Sequence, residues 1–458
     1  MTNQLHQNTE QRLTRLRSTI ESGSLSQLQS MLNAMHPAEI AHLLESSPPA
    51  RRRYLWDLVE PENEGETLIE LGEEARASLV DEMASDDLVE AVKDLEVDDV
   101  ADFLQGLPNR LIEQTLSGMS RQQRERVEAV LAYDEDTAGG MMNTDVITTR
   151  ANVCVDVVLR YLRMQDKLPT HSDSLIIIDK YNKYLGILPI SILLTSQPDA
   201  TVNTIMDDQQ SAIPANMPSS EVASLFEDRN LISAPVVDDN RNLLGRITID
   251  DVVDVIRDEA EHSMMSMAGL NEEEDLFASV IPSVKRRAIW LGTNLLTAFL
   301  AAWVINQFTE TLESAIALVV LMSIVPSMGG IAGSQTLTLV IRGMALGQID
   351  SGNTRSLLIK ELLLGFINGV IWALVVFVIS VLFFDDTSIG IIVAIAMLLN
   401  LLIAPLTGVL LPIALRKLGI DPALAGSVLL TTVTDVVGYA AVLGLATLLL
   451  PYIRSFLA

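Results

Sequence analysis

Residues 423–450, ALAGSVLLTTVTDVVGYAAVLGLATLLL, form an apolar stretch that decides the class of fold. A helix crosses a bilayer with about 20 such residues, so the stretch predicts a membrane span. Its only charged residue, Asp435, lies 12 residues from one end and 15 from the other. An ionised Asp near the bilayer centre costs about 2.5 to 3.5 kcal/mol, and such residues usually face a water-filled pathway. We therefore predict that Asp435 lines a pathway; a protonated acid bonded to a neighbouring helix is the alternative.

Four further apolar stretches precede this one and give a predicted transmembrane domain of five spans in residues 285–458. The spans are Ala288–Ile305, Ala315–Ile341, Leu362–Phe384, Ile389–Leu415 and Ala423–Leu450. Basic residues precede the first span and fill the second and fourth connections, whereas the first and third connections have none. Because basic residues stay on the cytoplasmic side, residues 1–287 are predicted to be cytoplasmic. We expect a multi-pass protein of the cell (inner) membrane with a cytoplasmic N-terminus.

The net charge of −28 is concentrated in the predicted cytoplasmic half, because only eight of the 59 acidic residues follow Arg287. Such a surface repels polyanions, which argues against nucleic acid as a partner, and it attracts cations. The single cysteine, Cys154, rules out an intrachain disulfide and fits a reducing cytosol. No apolar core follows the first Met, so no cleavable signal peptide is expected. The sequence shows no catalytic constellation, and we do not expect an enzyme.

Residues 1–133 show the signals of repeated short helices. Pro37 stands where a first helical turn tolerates proline, and Ser120 and Gln123 have capping-box spacing. Leu88 and Val92 fall on one stripe of a further helix. We predict an α-helical superhelical N domain.

From Met142 onward, strands alternate with helices in two similar copies. The first contains SLIIIDKYNKYLGILPISILL, the second contains SAPVVDDNRNLLGRITIDDVVDVI, and their Leu-Gly pairs lie 59 residues apart. This resembles a tandem pair of α/β CBS domains, at 138–200 and 201–256, and the resemblance implies a ligand-sensing module. The ribose-binding pattern of that family, Ser/Thr-x-x-Asp, is present in the second copy as Thr248 and Asp251 and absent from the first. Whether the CBS pair binds ATP is therefore left open, and the alternative is that the pair is a structural dimerisation block.

A connecting segment, residues 250–282, begins with an acidic helix. Carboxylates recur there on one helical face, and two more lie one turn apart in the N domain. Asp251, Asp254, Asp258 and Glu261 share this face, and Asp250 and Glu259 flank it; the two acids of the N domain are Asp98 and Asp102. Two carboxylates about 4 Å apart repel by roughly 4 kcal/mol at an effective dielectric of 20, and a divalent cation between them reverses this. The pattern predicts a cation sensor; a solvated acidic face is the alternative.

The second and fifth spans supply the polar residues of a predicted pore. Pro326 and three glycines are predicted to interrupt the second span, although small-residue helix packing also explains the glycines. The polar residues are Ser334, Gln335, Thr336 and Thr338 in the second span, and Ser427, Thr431, Thr432, Thr434 and Asp435 in the fifth. A carboxylate among hydroxyl and carbonyl oxygens suits Mg²⁺, and the spans lack the Cys and His ligands of softer metals. In a two-fold homodimer, one Asp435 from each subunit would flank the axis.

Four motifs, EDTAGGMM, GRITIDDVVDVI, GGIAGSQTLTLVIRG and TTVTDVVGYAAVLGLATLLL, occur in this order before and within the five spans. Together they resemble the MgtE family of magnesium channels over nearly the whole chain. The resemblance implies a homodimeric Mg²⁺-selective channel that closes when cytosolic Mg²⁺ is high. It also implies that Asp435 is the pore acid, and that the connecting segment is a plug helix whose sensor acids include Asp251, Asp254 and Glu259. Asp98 and Asp102 match the sensor acids of the N domain.

Some positions depart from the family pattern. Ile331, Ser334 and Ser427 stand where Asn is common, and His262 and Ser263 replace acids near the end of the plug. These departures leave open the selectivity among divalent cations and the number of sensor sites. An ion-coupled divalent cation exporter and a non-transporting CBS-based membrane sensor remain the alternative functions.

Overall fold

The computed structural model describes residues 25–457, except residues 94, 166, 271–273, 315 and 351. The first 24 residues of the predicted N domain and Ala315, the predicted start of the second span, lie outside the described residues. Backbone contacts divide the chain into two compact units. Unit 1 contains the residues up to 260 together with 273–279, and unit 2 contains 261–272 and 280–458.

Unit 1 begins with a series of short helices. They are α1 (Leu25–Leu32), α2 (Pro37–Glu45), α3 (Pro49–Trp56), α4 (Pro61–Ile69), α5 (Glu73–Val80), α6 (Ser85–Val92), α7 (Val97–Gln105), α8 (Asn109–Gly118) and α9 (Arg121–Leu131). Pro37 lies in the first turn of α2, and Ser120 caps α9 by accepting a hydrogen bond from the Gln123 amide at 3.3 Å. Each of α2, α4 and α6 packs against the helix two places further along the chain, and Leu88 and Val92 are buried. The helical stacking predicted for the N domain is therefore confirmed.

Two three-stranded sheets follow, and their strand order is the same. The first contains β1 (Thr148–Arg150), β2 (Ser174–Ile178) and β3 (Tyr184–Pro189), and the second contains β4 (Ile213–Pro214), β5 (Ser233–Val237) and β6 (Leu243–Thr248). The helices of this region are α10 (Val155–Arg163), α11 (Ile190–Thr195), α12 (Val202–Ile205) and α13 (Ser219–Arg229). In each sheet the first two strands are parallel and the last two antiparallel. The tandem α/β pair predicted from the sequence repeat is confirmed.

The two copies exchange the segments that lead into them. Asn143 precedes β1 but pairs with β6, and Asp207 precedes β4 but pairs with β3. The glycine of each Leu-Gly pair makes room for this crossing. A Cβ on Gly186 would lie 2.5 Å from the Asp207 carbonyl oxygen, and one on Gly245 would lie 2.6 Å from that of Asn143. The glycine of the repeated Leu-Gly pair is therefore explained by a close backbone contact that leaves no room for a side chain.

Helix α14 (Ile249–Ser266) begins directly after β6 and carries the predicted sensor acids. In the described part of unit 2, five helical segments are long and apolar enough to cross a membrane, which confirms the five predicted spans. They are α15 (Val280–Asn306), α17 with α18 (Ile316–Leu321 and Ile324–Ala345), α19 (Thr354–Phe384), α20 (Thr387–Lys417) and α21 (Pro422–Leu457); α16 (Thr309–Ser314) lies in the first connection.

The predicted interruption of the second span at its proline and glycines is wrong. The break comes earlier, at residues 322–323, and α18 is continuous through Pro326 and the glycines that follow. Pro326 lies in the first turn, where its missing N–H removes no helical hydrogen bond. A Cβ on Gly329 would lie 2.2 Å from Asn400 Nδ2, and one on Gly333 would lie 2.9 Å from Leu430 Cδ1. The glycines therefore allow close helix packing.

Candidate ion pathway and acidic cluster

A groove of about 940 Å³ runs between α18 and α21 in unit 2. Its lining residues are Pro326, Ser327, Gly330, Ile331, Ser334, Gln335, Thr338, Leu339, Thr431 and Asp435. We call this surface the polar groove. Its polar side chains offer hydroxyl, amide carbonyl and carboxylate oxygens, which are hard ligands.

Asp435 is half-buried in the wall of the polar groove. Thr431 lies one turn earlier on α21, so that the two side chains share the face that the helix turns towards the groove. Within the part of the chain that the structure describes, we find no hydrogen bond to the Asp435 carboxylate. The predicted alternative, a neutral acid bonded to a neighbouring helix, receives no support from this geometry.

The other polar residues of the fifth span do not reach the groove. Thr432 and Thr434 donate hydrogen bonds to the Val428 and Leu430 carbonyl oxygens of their own helix, at 2.7 and 3.1 Å. Ser427 instead donates to the Met267 carbonyl oxygen at 3.3 Å. Only Thr431 and Asp435 of the predicted polar patch therefore line the groove.

The C-terminal end of the connecting helix lies against the helices that form the groove, within unit 2. Met267 packs against Leu337 and Leu430, and the Thr338 hydroxyl lies 3.9 Å from its sulfur atom. His262, one of the departures noted above, has its Nε2 atom 3.4 Å from Asp421 Oδ2 at the start of α21. Met267 is thus placed beside Thr338, a residue of the groove wall.

Unit 1 brings together carboxylates from α7 and α14 that are far apart in the sequence. These are Asp98, Asp99, Asp102, Asp251 and Asp254, which we call the acidic cluster. Burial and then the charge of Asp251 raise the pKa of Asp98 well above its usual range. Desolvation is also the largest cause for the others, followed by neighbouring carboxylates; it raises the pKa of Asp102 and Asp251 to about 7 and that of Asp99 to about 6. The cluster is therefore partly protonated near neutral pH, and a bound cation would stabilise its charged carboxylates.

Partial desolvation also raises the pKa of Asp254, although the Arg257 guanidinium, 3.2 Å from its Oδ1, opposes this. The other predicted sensor acids lie outside the cluster. Asp250 accepts a hydrogen bond from the Thr248 hydroxyl and lies 3.3 Å from His171 Nε2, although its charge still raises the pKa of Asp99 and Asp251.

Further along α14, Asp258 lies 3.4 Å from the Arg257 Nε atom, and Glu259 is exposed. Asp98 has a polar partner of its own, because Asn143 donates to its Oδ1 at 3.2 Å and to Glu96 at 2.5 Å.

The residues of the predicted nucleotide pattern cap α14. The Thr248 amide donates to Asp251 Oδ2 at 3.2 Å, and the Thr248 hydroxyl oxygen lies at the same distance from that atom. A carboxylate three residues into a helix commonly bonds the amide that precedes it. Thr248 and Asp251 are therefore explained by helix capping, and Asp251 also belongs to the acidic cluster.

No three His, Cys, Asp or Glu side chains converge into a ready-made metal site among the described residues. Mg²⁺ keeps several of its waters and binds through one or two carboxylates, so that paired acids are sufficient to hold it. The acidic cluster provides such pairs, and the polar groove provides one carboxylate in each chain.

Sequence reasoning missed one acid of the cluster and two buried polar residues outside the groove. Asp99 lies beside the predicted Asp98, and the doubled Asp was its only signal. Asn400 is an isolated amide in an apolar stretch, whereas Glu361 directly follows Lys360 and gave no such signal; both side chains are buried. Both contact α18.

Comparison with known protein families gives three matches along the chain. Residues 35–136 match the MgtE intracellular N domain, residues 202–258 match the CBS domain, and residues 322–445 match the MgtE family described as a divalent cation transporter. The chain belongs to the MgtE family.

Curated MgtE relatives are similar to the chain over most of its length. A magnesium transporter MgtE of Thermus thermophilus is 27% identical over 95% of this chain and 98% of its own length. One of Bacillus subtilis is 24% identical over 93% and 95%. Among solved structures, the cytosolic domain of the Mg²⁺ channel MgtE in complex with ATP is 27% identical with a TM-score of 0.49. It covers 53% of this chain and 99% of its own.

Proposed function

We propose that this MgtE protein is a Mg²⁺-selective channel for magnesium uptake. The observation that carries the proposal is Asp435, a carboxylate without a hydrogen-bond donor among the described residues, in a groove of hydroxyl and amide groups within the spans. Such a carboxylate holds a hard, hydrated cation through its water shell. The relatives that are named magnesium transporters support Mg²⁺ as the ion.

The channel acts as a homodimer in the cell membrane, with residues 1–287 in the cytoplasm. The polar groove of one chain holds only one carboxylate, whereas two grooves facing each other across a two-fold axis would present two. The distribution of Lys and Arg between the connections supports the orientation.

Cytosolic Mg²⁺ gates the channel through the acidic cluster. Without the cation, burial and then the neighbouring carboxylates raise the pKa of these acids, and their charged forms repel one another. Mg²⁺ bound between these helices replaces repulsion with attraction and holds α14 in place. The end of α14 leads to Met267 beside the groove wall, so a fixed α14 keeps the pathway closed. ATP is an additional ligand to test at Thr248 and Asp251.

Mg²⁺ flux into liposomes containing the full-length protein tests the pore assignment. Replacing Asp435→Ala should abolish flux, because the remaining hydroxyl and amide groups carry no charge to attract the hydrated cation. Thr432→Val is the matched control, since that hydroxyl bonds its own helix and lies outside the groove. Undiminished flux through the Asp435→Ala channel would refute the assignment, and flux that follows a proton or sodium gradient would favour an ion-coupled exporter.

A further inference from the structure

Helix α18 has two faces with different environments. Eight of its residues, among them Ser327, Ser334 and Thr338, line the polar groove at intervals that place them on one side of the helix. Val325 and Thr336 are 11 residues apart, which is three turns at 3.6 residues per turn, so they share the opposite face. That opposite face is buried against α19, α20 and α21.

Asn400 of α20 makes the first polar contact with the buried face. Its Nδ2 donates to the Val325 carbonyl oxygen at 2.8 Å, and its side chain is fully buried. Gly329 provides the space for this amide, because any Cβ there would lie 2.2 Å from Asn400 Nδ2. The contact therefore depends on the backbone of α18, which supplies both the carbonyl acceptor and the space at Gly329.

Glu361 of α19 makes the second polar contact, three turns further along. The Thr336 hydroxyl donates to Glu361 Oε2 at 3.0 Å, and the Glu361 side chain is 7% exposed; its Oε1 lies 3.3 Å from Lys360 Nζ. Gly408 closes the site from α20, since a Cβ there would lie 2.9 Å from Thr336 Cβ. The close approach of Gly408 therefore leaves the Thr336 side chain no room to move.

We propose that Asn400 and Glu361 are positioning residues that fix the rotation of α18 and thereby determine which divalent cation the polar groove accepts. The proposal rests on the function proposed above. At 1.5 Å of rise per residue, the two hydrogen bonds are about 16 Å apart along one face of α18. Together they prevent the helix from rotating about its axis. The residues that touch the ion are then on the opposite side, and neither Asn400 nor Glu361 touches it.

A small rotation is enough to matter for selectivity. At a side-chain radius of about 5 Å, a roll of about 20° displaces the groove side chains by roughly 2 Å. Mg²⁺ keeps a near-octahedral shell that includes several waters, so it suits groove groups at fixed positions, whereas Ca²⁺ accepts flexible contacts at about 2.3 to 2.6 Å. Loosening α18 should therefore impair Mg²⁺ more than Ca²⁺.

Liposome flux of the full-length variants, measured with Mg²⁺ and with Ca²⁺, tests the proposal. Glu361→Leu, Asn400→Leu and Thr336→Val should each raise the Mg²⁺ concentration for half-maximal flux and lower the Mg²⁺/Ca²⁺ flux ratio by about 3- to 30-fold, the range expected for losing one interhelical hydrogen bond. Glu361→Leu and Thr336→Val combined should be no worse than either alone. Glu361→Gln should restore the wild-type ratio, because its amide oxygen still accepts from Thr336.

Ser380→Ala is the matched control, since Ser380 is buried on the same helix and its hydroxyl has no partner among the described residues. Equal damage from Glu361→Gln and Glu361→Leu would show that the charge acts rather than the hydrogen bond, and would overturn the proposal. An unchanged flux ratio in Thr336→Val, the nearly isosteric variant, would also overturn it, even if the leucine variants fail to fold. A wild-type protein without Mg²⁺ flux would instead refute the proposed function. Loss of flux in Asp435→Ala with unchanged ratios in Thr336→Val would refute this inference alone.

Discussion

Arg52 of α3 is a buried charge with a partner that is distant in the sequence. Its side chain is 1% exposed, and its Nη2 lies 2.7 Å from Asp275 Oδ2. Its Nε donates to the Leu44 carbonyl oxygen at 3.1 Å, and Glu74 accepts from the Asp275 amide at 2.9 Å. Asp275 belongs to the segment of unit 1 that precedes the first span, so this pair fastens that segment to the N domain.

Replacing Arg52→Met should destabilise unit 1 by about 3 to 5 kcal/mol, because Asp275 would then be a buried charge without its partner. The double variant Arg52→Met with Asp275→Leu should recover much of this loss, since no unpaired charge remains. Thermal and urea unfolding of the full-length protein in detergent measures both effects. The exposed pair of Arg121 and Glu125 is the control, where Arg121→Met should cost about 0.3 to 0.5 kcal/mol. Equal effects of the two arginine variants would contradict the prediction.

At the level of elements, α7 and α14 are stable helices whose facing carboxylates oppose their association. Val100, Ala101 and Phe103 bury one side of α7, while Asp99 and Asp102 lie beside the acids of α14. Apolar burial thus fixes α7 within unit 1, while the charges of the facing carboxylates oppose a closer approach of α14. A pair of elements balanced in this way responds to a small amount of bound cation.

Replacing Asp251 and Asp254 together by Ala should leave transport active but reduce its inhibition by cytosolic Mg²⁺. The cation would lose two carboxylates, and even changes around the ligands of a metal commonly cost about 10- to 100-fold in affinity. We therefore expect half-inhibition at a Mg²⁺ concentration at least about tenfold higher, measured as flux into liposomes with internal Mg²⁺ varied. A double variant of two exposed acids, Asp156→Ala with Asp199→Ala, is the control. Inhibition identical to that of the wild type would remove the sensor role.

At the level of the whole molecule, the proposed sensor role implies that protons and Mg²⁺ compete for the same acidic cluster. The folded-state pKa of Asp102 and Asp251 is about 7 and that of Asp99 about 6, compared with about 3.9 for an unfolded Asp. The folded protein therefore binds more protons than the unfolded chain between these values. The resulting stability is fully present below about pH 4 and is lost as the pH rises through 6 to 7.

Without Mg²⁺, the thermal midpoint of unit 1 should rise when the pH is lowered from 8 to 6. Added Mg²⁺ should raise the midpoint more at pH 8 than at pH 6, because protons already neutralise the cluster at the lower pH. Scanning fluorimetry of the full-length protein, with chelator or Mg²⁺, measures both dependences. The variant with Asp99, Asp102 and Asp251 all changed to Asn should lose most of the pH dependence. A midpoint that falls between pH 8 and pH 6 would contradict the sign of the pKa shifts.

Local patterns predicted the elements well where one physical rule dominates. Length and apolarity gave the five spans, and the proline and capping signals at Pro37 and Ser120 marked helix starts. The same rules misplaced the break in the second span. A proline in the first turn does not interrupt a helix, and a glycine within a helix can allow close packing against a neighbouring helix. Gly329 is explained only by Asn400, a residue on another helix.

The sequence by itself determined the class of the protein, the number of spans and the acidic character of the part that precedes the first span, because these depend on composition and period alone. It also predicted Asp435, since a carboxylate among apolar residues is costly wherever the chain goes. Only the tertiary structure decided which acids meet. Asp98 and Asp251 are 153 positions apart, and Glu361 contacts Thr336 from another helix. Such contacts depend on how the helices pack, and a local sequence pattern contains no information about which residue of another helix it will contact.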